Sequence, residues 1–201
     1  DMLDEAIKHY TDAIKINPKY SQAYNNRGNA YGERGLYEAA LADFNQALVY
    51  EEYAYIYYHR AFTLNKMGRV NDAVIDYTKA IGRDPEYVDA YNNRGNMYFR
   101  QEQFDLALKD YEKALEYDNK LVHAHYSRGL IFKKRQQLKL AYESFTTVTE
   151  LDPSNGIAYF QRSLILAAMG QKKEAIKNAK KAELRGYRVD PFYLDYLNET
   201  K

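Results

Sequence analysis

The sequence predicts an all-α chain of stacked helical hairpins, and three observations carry that prediction. Alanine recurs at Ala6, Ala40, Ala73, Ala107, Ala141 and Ala175, in steps of 34, 33, 34, 34 and 34 residues. Three further columns keep the same step: small residues at Gly28, Ala61, Gly95, Gly129 and Ser163, rings at Tyr24, Tyr57, Tyr91, His125 and Tyr159, and a last set at Tyr10, Phe44, Tyr77, Tyr111, Phe145 and Ala179. Within one period the spacing is helical, i, i+4, i+7 for Tyr91, Gly95 and Tyr98, then i, i+3, i+7 for Phe104, Ala107 and Tyr111. Such a period holds two helices of about a dozen residues each. Neither buries its apolar face alone, so successive periods must stack.

The elements follow in order. Residues 1–20 carry only the second-helix pattern, through Ala6, Tyr10, Ala13, Ile14 and Pro18, and the chain does not begin with Met. That stretch therefore reads as part of a piece cut from a longer protein. Gly35 and Gly68 stand between the two helices of a unit, while Asn17-Pro18, Asp84-Pro85 and Asp152-Pro153 separate one unit from the next. Small residues let facing helices approach, and the rings fill the space beside them. Gly186 ends the last helix of the pattern, and Asp190-Pro191 forms an N-cap and first-turn pair that opens a short helix through Tyr193, Leu194 and Leu197. This helix is expected to cover the end of the stack.

Composition narrows the function. The chain has 201 residues, 46% of them hydrophobic, which is enough to build a core. A net charge of +1 excludes a globally basic nucleic-acid binder. Zero Cys excludes a disulfide scaffold, a thiolate metal site and a cysteine nucleophile. No apolar run approaches the roughly 18 residues of a membrane span, and no signal-peptide pattern opens the chain, so no membrane insertion is expected. Charge is uneven: residues 1–119 hold 14 Lys and Arg against 20 Asp and Glu, residues 120–201 hold 15 against 8. Tyrosine is abundant, 22 residues against no Trp.

The segment Ala23-Tyr24-Asn25-Asn26-Arg27-Gly28-Asn29-Ala30-Tyr31, followed by Gly35, Tyr37, Ala40, Phe44 and Ala47, resembles the tetratricopeptide repeat (TPR) pattern, with its aromatic fourth, small eighth and aromatic eleventh places. The resemblance covers nearly the whole chain. It implies a right-handed α-solenoid of helix-turn-helix repeats at 21–53, 54–87, 88–121, 122–155 and 156–189, with the second helix of a truncated repeat at 1–20 and a capping helix at 190–201. Departures are Glu52 and Asn119 where the closing Pro is usual, and Ala179 where a ring is usual.

In this family the face opposite the buried stripe lines a groove that takes an extended peptide or a partner helix. At 100° per residue that face holds the second, sixth, ninth and thirteenth places of each first helix, flanked by the fifth and twelfth. The sixth place reads Asn26, His59, Asn93, Ser127 and Gln161; Asn29 and Asn96 occupy the ninth, Asn25 and Asn92 the fifth. An amide both donates and accepts, and so matches a peptide group. Asn is a mediocre helix former, which makes its clustering mid-helix informative. The row resembles the asparagine ladder by which some family members hold a peptide through its main chain. Apolar side chains accompany it: Tyr55, Tyr58 and Phe62, then Tyr126 and Leu130, then Ile157, Phe160 and Leu164. The expected partner is a protein or peptide. The two-carboxylate clamp of chaperone-tail-binding members is absent, because Asn25, Asp89 and Asn93 stand where its cations are required.

The seventh place is Arg throughout, at Arg27, Arg60, Arg94, Arg128 and Arg162. Its position beside the buried stripe, with Asp43, Asp76 and Asp110 recurring on the second helices, predicts a structural ladder, paired within a repeat or across to the next; Ser144 and Asn178 interrupt it. No catalytic set, cofactor or metal site is expected. His123 and His125 face different sides of a helix, His9 and His59 lack an aligned partner, and Gly28 and Gly35 belong to the repeat rather than to a phosphate loop. The reading is a non-catalytic interaction scaffold. The alternative is a homo-oligomer through the chain ends, Leu3, Ile7 and Tyr10 docking on Phe192, Tyr193 and Leu197 of a neighbour.

Overall fold

The structure is a computed structural model and describes residues 2–199. Asp1, Thr200 and Lys201, the outermost residues of the two expected end segments, lie outside the described residues. Twelve helices and no strand are present among the described residues: α1 Met2–Ile16, α2 Ser21–Glu33, α3 Tyr37–Tyr50, α4 Ala54–Lys66, α5 Val70–Arg83, α6 Val88–Arg100, α7 Phe104–Tyr117, α8 Val122–Lys134, α9 Leu138–Leu151, α10 Gly156–Ala168, α11 Lys172–Glu183 and α12 Pro191–Asn198. They form two compact units, one ending at Tyr98 and one beginning at Phe99, and the division falls within α6.

In the first unit α2 packs on α3 and α4 on α5, and α1 lies against α2. The alanine columns make these contacts close: Ala40, Ala47, Ala73 and Ala80 are fully buried, beside Phe44 and Tyr77. A Cβ placed on Gly28 would lie 2.8 Å from Phe44 Cε1, so glycine is what lets the ring of the second helix reach the first. In the second unit α8 pairs with α9 and α10 with α11, and Gly129 stands over Phe145 in the same way, 2.9 Å from a built Cβ.

The hairpin turns at Gly35, Gly68, Gln136 and Gly170 close with the 6→1 and 5→2 backbone bonds that end a helix on a left-handed residue: Leu36 N–H reaches Tyr31 O at 2.9 Å, Gly35 N–H reaches Gly32 O at 3.0 Å, and Arg69 N–H reaches Leu64 O at 2.9 Å. Gly35, Gly68 and Gly170 hold φ +76° there, whereas Glu102 and Gln136 adopt φ +57° at the same place in their turns. The turns at Asn17, Asp84, Asp118 and Asp152, between hairpins, are closed by a side chain. Lys19 N–H, Glu86 N–H, Lys120 N–H and Ser154 N–H donate to the carboxylate or amide oxygen two residues back, at 3.0–3.1 Å. The Asp118 turn therefore closes although Asn119 replaces proline.

The missing ring at Ala179 is compensated from outside its hairpin. Tyr193 of α12 packs against Ala179 and its hydroxyl lies 2.9 Å from Ser163 Oγ, the residue of the small column that faces Ala179. Asp190 caps α12 by accepting from Phe192 N–H at 2.9 Å, and Leu197 is buried with Leu166 of α10 and Ala175 of α11.

Candidate functional site

The first helices of the hairpins position the predicted site residues, because their fourth and eighth places are held in the core and the opposite face is left partly open. In the first unit this brings Asn26 and Asn29 of α2 beside Tyr58, His59 and Phe62 of α4. A cavity of about 520 Å³ opens between them, lined by Asn29, Gly32, Glu33, Tyr37, Tyr58, His59, Phe62, Thr63 and Lys66. Phe62 is 44% exposed, with the Lys66 ammonium 5.2 Å from its ring centre.

His59 organises the floor. Its Nδ1 lies 2.9 Å from Asn25 Oδ1 and 3.2 Å from Asn29 Nδ2, and one ring nitrogen either donates or accepts. Asn25 Nδ2 donates to Asn26 Oδ1 at 3.1 Å, which turns Asn25 Oδ1 toward the ring. With a proton on Nδ1 the ring donates to Asn25 Oδ1; with Nδ1 bare it accepts from Asn29 Nδ2 at the cavity wall. Burial pushes the His59 pKa down to about 4, so the imidazole is neutral near pH 7.

Asn25 itself is a correction to the sequence reading. It is 2% exposed, its amide spent between Asn26 and His59, so it holds the floor and does not reach a ligand. Asn92, at the same place two repeats on, is part-buried with a buried Oδ1. Tyr58 is half-buried rather than open: it packs on Tyr87 at 4.9 Å and Tyr77 at 5.8 Å between ring centres, and its hydroxyl accepts from Asn93 Nδ2 at 3.1 Å. Tyr55 stacks on Tyr53 at 5.5 Å and packs over the Phe44 cluster, at the side of the cavity. Asn96 is half-buried on α6.

The second unit brings together a different set. Tyr126 packs edge-on against Phe145 at 5.5 Å and hydrogen-bonds Gln161, burial raising its pKa. Lys133 Nζ donates to Gln161 Oε1 at 2.8 Å, and burial lowers the ammonium's pKa. Ser127 is engaged with the Tyr111 hydroxyl. Leu130, Phe99, Lys133, Lys134 and Gln136 line a second cavity, of about 420 Å³.

Glu33, Lys66, Phe99 and Lys133 were not singled out from the sequence, yet the signal was present: they hold the thirteenth and twelfth places, which the helical angle already puts on or beside the open face. Long side chains at those places curl back over the cavity.

The profiles of the tetratricopeptide repeat family match residues 21–52 and 88–120, and 122–155 and 157–183, and a further TPR repeat profile matches 2–35 and 63–101. The chain belongs to the tetratricopeptide repeat family. Tetratricopeptide repeat protein 13 of Homo sapiens is 35% identical over 109 residues, covering 51% of this chain and 13% of that protein. Tetratricopeptide repeat protein 6 of Homo sapiens is 36% identical over 100 residues, 50% of this chain and 19% of that protein. The chain thus spans a small part of the length of these relatives. Among solved structures, YrrB, a TPR protein with an unusual peptide-binding site, superposes with a TM-score of 0.77 at 24% identity, over 93% of this chain and 96% of that one.

The arginine column of this TPR chain is structural. Arg27 Nε and Nη2 both meet Asp43 at 2.7 Å, and Arg60 Nε and Nη2 meet Asp76 at 2.6 and 2.8 Å, within one hairpin. Nη1 serves the preceding second helix, donating to Thr11 from Arg27 and to Asn45 from Arg60, so each guanidinium also ties successive hairpins. Where the acid is lost, Arg128 keeps a buried, unbonded Nε opposite Ser144, and Arg162 falls back on Thr149 and Tyr142. The end-docking surface drawn from the sequence is corrected as well. Leu197 is 3% exposed, Tyr193 is bonded to Ser163, and Leu3 and Tyr10 are half-buried beside α2. Only Phe192 of that set stands free, because α12 folds its apolar face onto its own chain.

Proposed function

We propose that this chain is a non-catalytic scaffold that binds an extended segment of a protein partner on the open faces of its first helices. The observation that carries the reading is the α2/α4 cavity, where the Asn29 amide stands next to a half-exposed ring, Phe62, above a neutral imidazole. An extended peptide offers unpaired main-chain groups to the amides and an apolar side chain to the ring. YrrB shares the fold and has a peptide-binding site. Two arginines of the column, Arg27 and Arg60, are spent in ion pairs with Asp43 and Asp76. No helix among the described residues is long and apolar enough to cross a membrane.

Peptides selected from a random display library, with affinity read by fluorescence anisotropy, test the proposal. Replacing Asn29→Ala together with Phe62→Ala, the amide and the ring that line the cavity, is expected to weaken the selected peptides at least tenfold, with helicity unchanged. A library that yields no binder, or a double variant of unaltered affinity, refutes it.

A further inference from the structure

We infer that the outer face of α11 is a docking surface for an anionic lipid membrane. The helix buries Ala175, Ala179 and Ala182, spaced i, i+4, i+7. The stripe directly opposite runs Lys173, Lys177, Lys180 and Leu184, spaced i, i+4, i+7, i+11. Leu184 caps the helix in αR geometry, φ −59° and ψ −16°, so it continues that stripe. The outer stripe of α7 mixes Lys109 with Asp105, Glu112 and Glu116, and that of α9 mixes Lys139 with Glu143 and Glu150. In α11 alone among the second helices of this unit it is purely cationic with an apolar end.

Lys173 and Lys180 have no carboxylate partner among the described residues, and Lys177 shares only an exposed pair with Glu174. Arg188 adds a further exposed cation in the segment after the helix. Leu184, just after α11, and Phe192, in the first turn of α12, are each 82% exposed. A protein ligand would have to bring a shaped pocket for such bare tips. A bilayer needs none, because apolar side chains enter the headgroup boundary while adjacent lysines stay among the phosphates. Attraction through several lysines to anionic headgroups is additive and screened by salt. The arrangement fits attachment to a surface, with nothing inserted across it.

Co-sedimentation with phosphatidylcholine vesicles, with and without phosphatidylserine, tests the inference. The intact chain should pellet only with the anionic vesicles at low salt and be released at high salt. Lys173→Glu, Lys177→Glu and Lys180→Glu together should lower binding at least tenfold with helicity retained, since all three side chains are exposed. The chain has no Trp, so Leu184→Trp provides a single Trp, excited selectively over the tyrosines, whose emission should shift to the blue on anionic vesicles. Absence of pelleting, equal pelleting with both lipids, or a triple variant that binds like the parent overturns the inference. So does binding to soluble polyglutamate as tight as to anionic vesicles with unshifted Trp emission, which would assign the face to an acidic protein.

Discussion

Gln136 holds φ +57° at a turn position where Gly35, Gly68 and Gly170 hold +76°. An L side chain in the left-handed region costs about 1–2 kcal/mol, from Cβ crowding the following carbonyl. Gln136→Gly relieves that strain but gives the unfolded chain more freedom, worth about 0.4–1 kcal/mol in the opposite direction. The net expectation is a gain of about 0.5–1 kcal/mol. The converse change adds no steric contact, because a Cβ at Gly35 or Gly68 meets nothing within 4 Å: Gly35→Ala or Gly68→Ala sets the same two effects against each other in reverse and should cost a similar amount. Glu102→Gly should gain less than Gln136→Gly, since it also removes the exposed Glu102–Lys134 pair at 3.1 Å, worth at most about 1 kcal/mol. Urea unfolding followed by circular dichroism reads all four. A Gln136→Gly protein no more stable than the parent, beside a Gly35→Ala protein no less stable, would show that the turn stores no strain and would refute the reasoning.

Asp76→Asn should cost about 3 kcal/mol by urea unfolding, because it leaves the Arg60 guanidinium without its bidentate carboxylate in a largely buried setting. Gly129→Ala should cost about 1–3 kcal/mol in the same assay, since its Cβ would meet the Phe145 ring at 2.9 Å inside a packed core. His59 binds a proton more readily unfolded, at its ordinary 6.5, than folded, at about 4. Its contribution is therefore complete above pH 6.5 and is lost as pH falls toward 4, up to about 3 kcal/mol in all. A His59→Gln protein should lose less stability than the parent between pH 7 and pH 4.5; parallel losses would show that His59 is not the group responsible.

Much of the fold was readable because its cause is local. A 34-residue recurrence of alanines, glycines and rings states the helix faces directly, and Ala40, Phe44, Ala73 and Tyr77 are buried where the columns place them. The arginine ladder was readable too, since Arg27 and Asp43 lie on neighbouring helices of one hairpin, though its double use within and between hairpins needed three dimensions. The candidate site was less legible. Helical angle puts Asn25 and Asn29 on similar footing, but α4 crosses close enough to cover the first and not the second. Lys66 and Lys133 acquired a role only through the reach of their long side chains.

By itself, the sequence determined which residues of each helix face inward, because a period of 3.6 residues and a repeat of 34 are properties of the chain alone. Tertiary structure decided the rest: that Asn25 is spent on His59, that Tyr193 of α12 fills the space beside Ala179, and that Leu197 is closed off while Phe192 and Leu184 stay bare. Each of these depends on a neighbour distant in sequence whose approach is set by packing, and no local pattern encodes how close that neighbour comes.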